Sequence, residues 1–261
     1  MKKKNAEWAG VSAPALRLPD LQALIAGDIP FVLIPRYLSP DWCSEIMRRF
    51  LAAPLEDHAY GRDTVRQLGL SVAPMVSERA VYFDRAPEIT ADMREIYRGG
   101  EDPLLKLRRD AAACTGWDCV PALEGGQPYA TDMIGAVVPG SGVVLHNDSP
   151  LLQPDLFVAQ FPTRLSWNVY LSESRYGGAL TVYRRAYDKR DAALHHGFEG
   201  YEPGVIAGGQ KAEYRPSPGD LLLFDAAHFH EVELTSAEGL RVSAHAWMGV
   251  DPARARMTFW S

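Results

Sequence analysis

The second half of the chain, from about residue 128, consists of short β-type runs separated by clusters of Gly, Pro, Ser and Asp. Three clusters, at residues 139–142, 177–178 and 216–220, are rich in the residues that tight turns require. Short strands separated by such turn-forming clusters predict a β-sandwich or β-barrel. The predicted strands are residues 134–138, 143–146, 165–171, 179–184, 221–224 and 241–248.

The first 120 residues differ, because they contain explicit helix start signals. Ser39 precedes Pro40, and Asp102 precedes Pro103, so each pair places an N-cap residue before a proline suited to the first turn. Glycines at 99 and 100 end a third helical segment. We therefore predict helices near residues 40–52, 87–98 and 102–114, a short strand at 31–34, and a long irregular loop at 185–215.

The 261 residues are 47% hydrophobic, which is enough for one substantial core. We therefore predict a single domain over residues 1–261, with a helical support at about 1–125 and a β core at about 126–250. Lys and Arg total 27 against 33 Asp and Glu, so the net charge is −6. That balance argues against a nucleic-acid partner.

The first residues predict that the chain has no secretion signal. Residues 5–20 contain charges and prolines, so the lysines at positions 2–4 do not begin a signal peptide. The longest uncharged apolar stretch, residues 133–145, is interrupted by proline and glycine. We expect a cytoplasmic protein with no membrane partner, whose three cysteines are reduced thiols. The alternative is a disulfide between Cys114 and Cys119. An oligomer is compatible with the sequence.

The most informative fragment contains His146 and Asp148 at the end of a predicted strand. In an extended segment, residues i and i+2 point to the same side, so the imidazole and the carboxylate can converge on one point. They can therefore supply two ligands to a metal ion. The alternative interpretation is a surface aspartate beside a structurally satisfied histidine.

A further histidine follows the predicted strand at 221–224. His228 and His230 are two residues apart, so either imidazole can face the same way on a strand. Arg241 then begins the next predicted strand, where its guanidinium can form a bidentate pair with a carboxylate beside the metal. The alternative role for Arg241 is an ordinary surface salt bridge. The full order is His-x-Asp, then His, then Arg-x-Ser, with Ser243 as the last member.

The order and spacing of these motifs resemble the 2-oxoglutarate and iron(II)-dependent dioxygenase superfamily, especially its prolyl 4-hydroxylase-like branch. Residues 31–43 look like the opening strand and helix start, residues 167–180 like the central strand pair, and residues 219–232 like the distal-histidine motif. The resemblance covers most of the chain. It implies a mainly β protein with supporting helices (α+β), built on a double-stranded β-helix, or cupin-like jelly roll, with the ligands at one open end.

The resemblance also implies cofactors and residue roles. It favours His230 over His228 as the third ligand, so iron(II) is held by His146, Asp148 and His230, and 2-oxoglutarate and dioxygen take the remaining positions. The residues expected to bind 2-oxoglutarate are Arg241 and Ser243, with Tyr170 and Asn168 as candidates whose alternative role is packing. The candidate substrate contacts are Arg184, Arg185, Tyr187 and His228.

The implied activity couples oxidative decarboxylation of 2-oxoglutarate, which yields succinate and carbon dioxide, to hydroxylation of an unactivated C–H bond. Related halogenases replace the carboxylate ligand with a small residue so that chloride can bind, and Asp148 therefore favours hydroxylation. Desaturation, epoxidation and ring formation use the same ligands. A chain of this size suits a free small molecule, such as an amino-acid derivative or a natural-product intermediate. The alternatives are a cupin-like metal enzyme that does not use 2-oxoglutarate and a catalytically silent jelly-roll binding protein.

Overall fold

The computed structural model describes residues 8–60, 63–197 and 200–261. The helices within these ranges are α1 (Leu18–Ile25), α2 (Pro40–Ala52), α3 (Arg79–Ile96) and α4 (Pro103–Thr115). The strands are β1 (Val11–Ser12), β2 (Phe31–Ile34), β3 (Glu56–Tyr60), β4 (Asp63–Gly69), β5 (Asp118–Pro121), β6 (Leu123–Glu124), β7 (Gln127–Pro128), β8 (Met133–Val137), β9 (Val143–His146), β10 (Thr163–Ser172), β11 (Leu180–Ala186), β12 (Lys211–Tyr214), β13 (Leu221–Asp225), β14 (His228–Val232), β15 (Arg241–Asp251) and β16 (Arg256–Trp260).

Eight consecutive strands, β8 to β15, form two four-stranded sheets in the arrangement of a jelly roll. One sheet contains the order β13-β10-β15-β8, and the other has the order β12-β11-β14-β9. Each pair of neighbours in these two orders is antiparallel. We call the first the major sheet and the second the minor sheet. The double-stranded β-helix predicted from the sequence is confirmed, and the two sheets provide one interior between them.

Additional strands widen the major sheet to ten. Strands β2 and β1 extend one edge beyond β13, whereas β4 and β3 extend the other edge beyond β8. Strand β15 is long enough to pair with β8 along its first half and with β16 along its second half. The major sheet therefore forms a broad platform, and the minor sheet has no such extension among the described residues.

The helices cover the outer face of the major sheet. Along β10, Trp167 and Val169 point outward into an apolar core with residues of the helices, such as Ile46 and Phe50 of α2. All four of these side chains are fully buried. Since successive strand residues face opposite sides, the alternate residues of β10 point into the jelly-roll interior. The core thus fixes which side chains can line the site.

Both helix caps predicted from the sequence are confirmed. The Ser39 side chain accepts a hydrogen bond from the Trp42 amide, and the Asp102 side chain accepts one from the Leu105 amide. The helix predicted at residues 87–98 begins earlier, at Arg79, and continues through Pro87. A proline removes one helical hydrogen bond but does not end a helix whose neighbouring residues are held by packing.

The segment predicted as an irregular loop, residues 185–215, is more ordered than expected. It contains short 3-10 turns at Lys189–Leu194 and Pro203–Ile206 and ends in strand β12. Strand β12 was missed because Lys211 and Glu213 are polar residues at the edge of the minor sheet, where a hydrophobic pattern is not required.

Two further expectations concern cysteines and membrane spans. The three cysteines are free thiols, and Cys43 is buried beneath the major sheet. Burial raises the pKa of the Cys43 thiol to about 11, so it is protonated at neutral pH. Across the described ranges, each helix is too short or too polar to span a bilayer.

Candidate active site

Strands β9 and β14 bring two histidines face to face. His146 is the last residue of β9, and it lies directly opposite His230 in the antiparallel pair that β9 forms with β14. The two imidazole centroids are 4.1 Å apart. Asp148 follows two residues after His146, and one ligand atom from each of the three residues lies within 4.8 Å of the others. The sequence-predicted triad is therefore brought together at one end of the minor sheet.

Backbone carbonyl groups orient both imidazoles. Nδ1 of His146 donates to the carbonyl oxygen of Val144 at 2.8 Å, and Nδ1 of His230 donates to that of His228 at 2.9 Å. A ring whose Nδ1 carries the proton presents the lone pair of Nε2. Burial, together with the neighbouring His146, lowers the pKa of His230 to about 3. His230 is therefore neutral at physiological pH, as a metal ligand must be.

The carboxylate of Asp148 is held by contacts that the sequence did not reveal. The Trp247 indole N–H donates to Oδ2 of Asp148 at 3.2 Å, and the Asp148 amide donates to the carbonyl oxygen of Ala226 at 2.8 Å. Nε2 of His230 lies 3.7 Å from Oδ2 of Asp148. Trp247 was missed because only the strand register, and no motif, places its ring beside Asp148.

Arg241 is a buried cation in the interior. Its side chain is 5% exposed, and its Nε donates to the carbonyl oxygen of Gly178 at 2.9 Å. The guanidinium carbon lies 5.1 Å from the centre of the Tyr170 ring. Arg241 forms no ion pair with the part of the chain that the structure describes, and burial lowers its pKa. A buried guanidinium without a counter-ion calls for an anionic ligand.

The paired glycines explain how Arg241 is held. Gly178 has a φ of +75°, and a Cβ atom there would lie 3.1 Å from Cδ of Arg241. Glycine alone adopts this backbone conformation without strain while allowing the close approach. The turn at residues 177–178 therefore positions the carbonyl group that orients the guanidinium.

The other predicted co-substrate residues lie in one row on β10 and β15. Tyr170 is opposite Ser243, and Asn168 is opposite His245. The Asn168 amide donates to Oγ of Ser166 at 3.0 Å, while Oγ of Ser243 lies 3.3 Å from Nδ1 of His245. These polar groups line the interior between Arg241 and the triad.

Each of the predicted substrate contacts has a protein partner nearby, so their role toward a substrate stays a prediction. Arg184 donates to Gln210 at 2.8 Å, and Arg185 forms an ion pair with Asp191 at 2.7 Å. Nδ1 of His228 lies 3.7 Å from Oδ2 of Asp225. The remaining one, Tyr187, packs edge-on against Tyr201 with ring centroids 6.4 Å apart. Burial lowers the pKa of His228.

The donor set fits the metal and co-substrate that the fold implies. Two imidazole nitrogens and one carboxylate oxygen are the ligands of a facial triad that leaves half of an octahedral iron(II) open. Arg241 supplies a cation for the distal carboxylate of 2-oxoglutarate, and it has no competing carboxylate among the described side chains. His146, Asp148, His230 and Arg241 would thus hold the two groups.

The jelly roll, the clustered donors and the buried arginine define the class of iron(II) and 2-oxoglutarate-dependent oxygenases. Within that class, the chain belongs to the family described as carrier-protein-independent halogenase WelO5, whose model matches residues 15–261. The superfamily predicted from the sequence is confirmed, and the family model gives it a narrower assignment.

Two curated proteins are similar to parts of the chain. L-gamma-glutamyl-L-propargylglycine hydroxylase of Streptantibioticus cattleyicolor is 29% identical over 161 residues, which cover 61% of this chain and 59% of that protein. Leucinostatins biosynthesis cluster protein S of Purpureocillium lilacinum is 31% identical over 119 residues, or 42% of this chain and 46% of that protein. The chain thus matches about three fifths or less of the length of these relatives.

Solved structures support the fold. An N-substituted L-amino acid dioxygenase from Burkholderia ambifaria has a TM-score of 0.60 at 14% identity, covering 92% of this chain and 90% of that one. HygX from Streptomyces hygroscopicus, solved with nickel and 2-oxoglutarate, has a TM-score of 0.52 at 17% identity, covering 89% and 87%. At these identities the likeness establishes the architecture.

Proposed function

We propose that the protein is a 2-oxoglutarate- and iron(II)-dependent oxygenase that hydroxylates an unactivated C–H bond of an amino-acid derivative. One observation supports this most strongly. Donor atoms of His146, Asp148 and His230 lie within 4.8 Å of one another, and they share an interior with the buried Arg241. When bound, iron(II) with 2-oxoglutarate and dioxygen supplies the oxidising power that the side chains lack.

Each residue has a distinct task in this proposal. His146 and His230 direct their Nε2 atoms toward the metal position, because backbone carbonyl groups accept hydrogen bonds from their Nδ1 atoms. Asp148 adds the anionic ligand, and the Trp247 indole holds that carboxylate in place. Arg241 orients the co-substrate through its distal carboxylate. The apolar surroundings exclude water and strengthen these charge interactions.

Hydroxylation is favoured over halogenation because of Asp148. The family model is described as that of a halogenase, and halide transfer requires a metal position that chloride can occupy. A carboxylate at residue 148 takes that position in the proposed site. The Trp247 hydrogen bond to Oδ2 of Asp148 further favours a carboxylate that stays in place. The chain is thus a member of a halogenase-named family with the ligand set of a hydroxylase.

Two similar proteins support the substrate class. One is named for hydroxylation of a γ-glutamyl dipeptide, and the other is described as a dioxygenase of N-substituted L-amino acids. Both names describe an amino acid whose nitrogen carries a substituent. We infer that an N-substituted amino acid is the substrate, acted on by one catalytic domain over residues 1–261. The core shared by the helices and the major sheet supports that single unit.

The test is Asp148→Ala, with iron content and 2-oxoglutarate-dependent succinate release as measurements. We expect weakened iron binding and loss of hydroxylation, because one anionic ligand is removed. Asp118→Ala is the matched control, since Asp118 is a surface residue of β5 that pairs loosely with Arg256. Wild-type hydroxylation in Asp148→Ala would exclude Asp148 as an essential ligand, and turnover without 2-oxoglutarate would favour a cupin-like enzyme.

A further inference from the structure

A second buried arginine, Arg164, lacks partners in the interior. It is 2% exposed, and its Nε and Nη2 atoms are buried with no hydrogen-bond partner in the described parts of the chain. Burial lowers the pKa of Arg164 to about 10, so the group is still charged at neutral pH. Leaving a buried charge unpaired is strongly unfavourable unless a ligand completes the site. A side chain held in this state points to an anion that binds there.

The strand register places Arg164 at one end of the interior row. Alternate residues of β10 face the same side, so Arg164 points inward together with Asn168 and Tyr170. Tyr170 contacts Arg241, whereas Arg164 lies six positions away along the strand, or about 20 Å. The two buried guanidinium groups therefore occupy opposite ends of one row.

The proposed metal ligands lie between these two ends. Trp247, which donates to Asp148, is opposite Ser166 on β10. Phe224 is also opposite Ser166, on the other neighbouring strand, and its ring centroid is 4.8 Å from that of His230. The charge of Asp148 acts on Arg164, although the two groups form no ion pair within the described residues. Arg164 thus lies on the side of the triad away from Arg241.

The surroundings of Arg164 are aromatic. Its guanidinium carbon lies 5.3 Å from the centre of the Trp260 ring, which stacks on Phe161 with ring centroids 5.8 Å apart. Gly249 is directly opposite Arg164, and a Cβ atom there would lie 2.4 Å from the Phe161 ring. The absence of a side chain at Gly249 therefore allows both rings to approach. Neither ring accepts a hydrogen bond from Nε or Nη2, so both nitrogens keep their donor capacity for a ligand.

A surface cavity lies against Leu156, one member of the apolar cluster around Phe161 and Trp260. Leu156 belongs to the same buried cluster as Phe161 and Trp260. Leu156 also lines a surface cavity of 360 Å³ formed by residues 150–160, most of whose lining side chains are apolar. The body of a small amino-acid derivative fits a cavity of this size.

We propose that Arg164 binds the carboxylate of the substrate, so that co-substrate and substrate carboxylates are held by separate arginines on opposite sides of the metal ligands. This inference rests on the proposed function and adds to it a requirement for a free carboxylate on the substrate. The guanidinium fork matches a carboxylate bidentately through its two unpartnered nitrogens. The aromatic walls exclude water, which strengthens the pair.

The test compares matched acids and amides as probes. The wild type, loaded with iron(II) and 2-oxoglutarate without oxygen, is titrated with N-acetyl derivatives of L-alanine, L-leucine, L-methionine and L-phenylalanine, each as the free acid and as the primary amide. Binding is followed by the change in visible absorption of the iron and 2-oxoglutarate complex. We expect at least one acid to bind about tenfold or more tightly than its amide, as a charge-assisted pair predicts.

Three variants locate the preference. In Arg164→Met, the affinities for the acid and its amide should differ by no more than about twofold. Arg164→Lys should retain part of the acid preference, because an ammonium group carries the charge but cannot bind a carboxylate bidentately. Both should need the same 2-oxoglutarate concentration as the wild type. Arg48→Met is the control, because Arg48 is an exposed residue paired with Glu45. The metal-free Arg164→Met protein should melt at the same or a higher temperature, since it loses an unpaired buried charge.

Specific results would overturn the assignment. A full acid preference in Arg164→Met, a tenfold higher 2-oxoglutarate requirement in that variant, or no acid preference in the wild type each reject Arg164 as the substrate anchor. A lower melting temperature together with an unchanged preference would instead show a purely structural arginine. Failure of the wild type to form an iron and 2-oxoglutarate complex before any probe is added would reject the proposed function itself.

Discussion

The two sheets of the jelly roll are built differently. The major sheet has ten strands, and its outer face is buried under helices, so residues such as Trp167 and Leu223 are completely enclosed. The minor sheet has four strands, and the short turns between β11 and β12 pack against part of its outer face. Two of the three candidate ligands, His146 and His230, nevertheless lie on the minor sheet.

This difference suggests a division between stability and chemistry. The major sheet buries apolar surface on its outer side, which is the main source of folding free energy. The minor sheet buries less, but its β9 and β14 pair sets the spacing of the two imidazoles. We therefore expect substitutions in the major-sheet core to lower stability, and ligand substitutions on the minor sheet to remove metal without unfolding the protein.

The largest effect is expected for the two neighbouring histidines of β14. His230→Ala should lose iron and turnover together, because His146 and Asp148 would form only a two-point attachment. His228→Ala should retain iron, because the backbone carbonyl that accepts from Nδ1 of His230 remains, and activity should fall by about ten- to a hundredfold at most. Iron content and succinate release of both variants provide the measurement. Loss of iron in His228→Ala alone would move the ligand to residue 228.

A core substitution tests the other half of the comparison. Leu223→Ala should lower the free energy of unfolding by about 2–5 kcal/mol, because it opens a cavity between the major sheet and the helices. Urea unfolding followed by circular dichroism measures this free energy. The control is Leu223→Met, which should lower the free energy of unfolding by less than about 1.5 kcal/mol. Iron bound per folded molecule should stay at the wild-type value. A loss of iron at full folding would contradict the division between the sheets.

Arg241 is one of the major-sheet residues that contribute to chemistry. Arg241→Ala should raise the 2-oxoglutarate concentration for half-maximal turnover at least about tenfold, from about 1.5–3 kcal/mol for a charge-assisted pair. Iron binding should persist. Arg241→Lys keeps the charge but cannot form a bidentate pair. Its 2-oxoglutarate requirement should therefore lie between those of the wild type and Arg241→Ala. An unchanged requirement in Arg241→Ala would place the co-substrate anchor elsewhere.

The smallest effect concerns His245, an inward-facing residue of β15. Burial lowers the pKa of His245 in the folded protein, whereas the unfolded value is about 6.5. As pH falls below about 6.5, the unfolded chain therefore binds the proton first, and stability decreases by up to about 1.4 kcal/mol per pH unit. Urea unfolding of the metal-free protein at several pH values should show a shallower decrease for His245→Asn. Equal slopes would exclude this contribution.

Sequence reasoning found the parts of the molecule whose signals are local. The caps at Ser39 and Asp102 depend on a few neighbouring residues, and they appear as predicted. The approach of His146 and Asp148 was anticipated from their two-residue spacing on an extended segment, and the choice of His230 from the order of the motifs. The physical reason is that strand periodicity and ligand spacing are both visible in a linear pattern.

The parts that were missed depend on pairing between distant strands. In the sequence, Arg164 is a charged residue at the start of a strand, and nothing marks it as buried. Only its register opposite Gly249 places its side chain in the interior of the jelly roll. Trp247 contacts Asp148 because β15 pairs with β10 in the register that places Trp247 opposite Ser166. A shift of one residue would turn these side chains to the other face, and a single sequence does not specify that register.

The opposition of His146 and His230 also bears on the order of events during folding. The two residues come from distant parts of the chain, so they meet only after β14 has closed a long loop back onto β9. A complete set of ligands therefore does not exist in a nascent or partly folded chain. Metal loading would follow folding, and an ion bound there would shift the folding equilibrium by mass action toward the finished jelly roll.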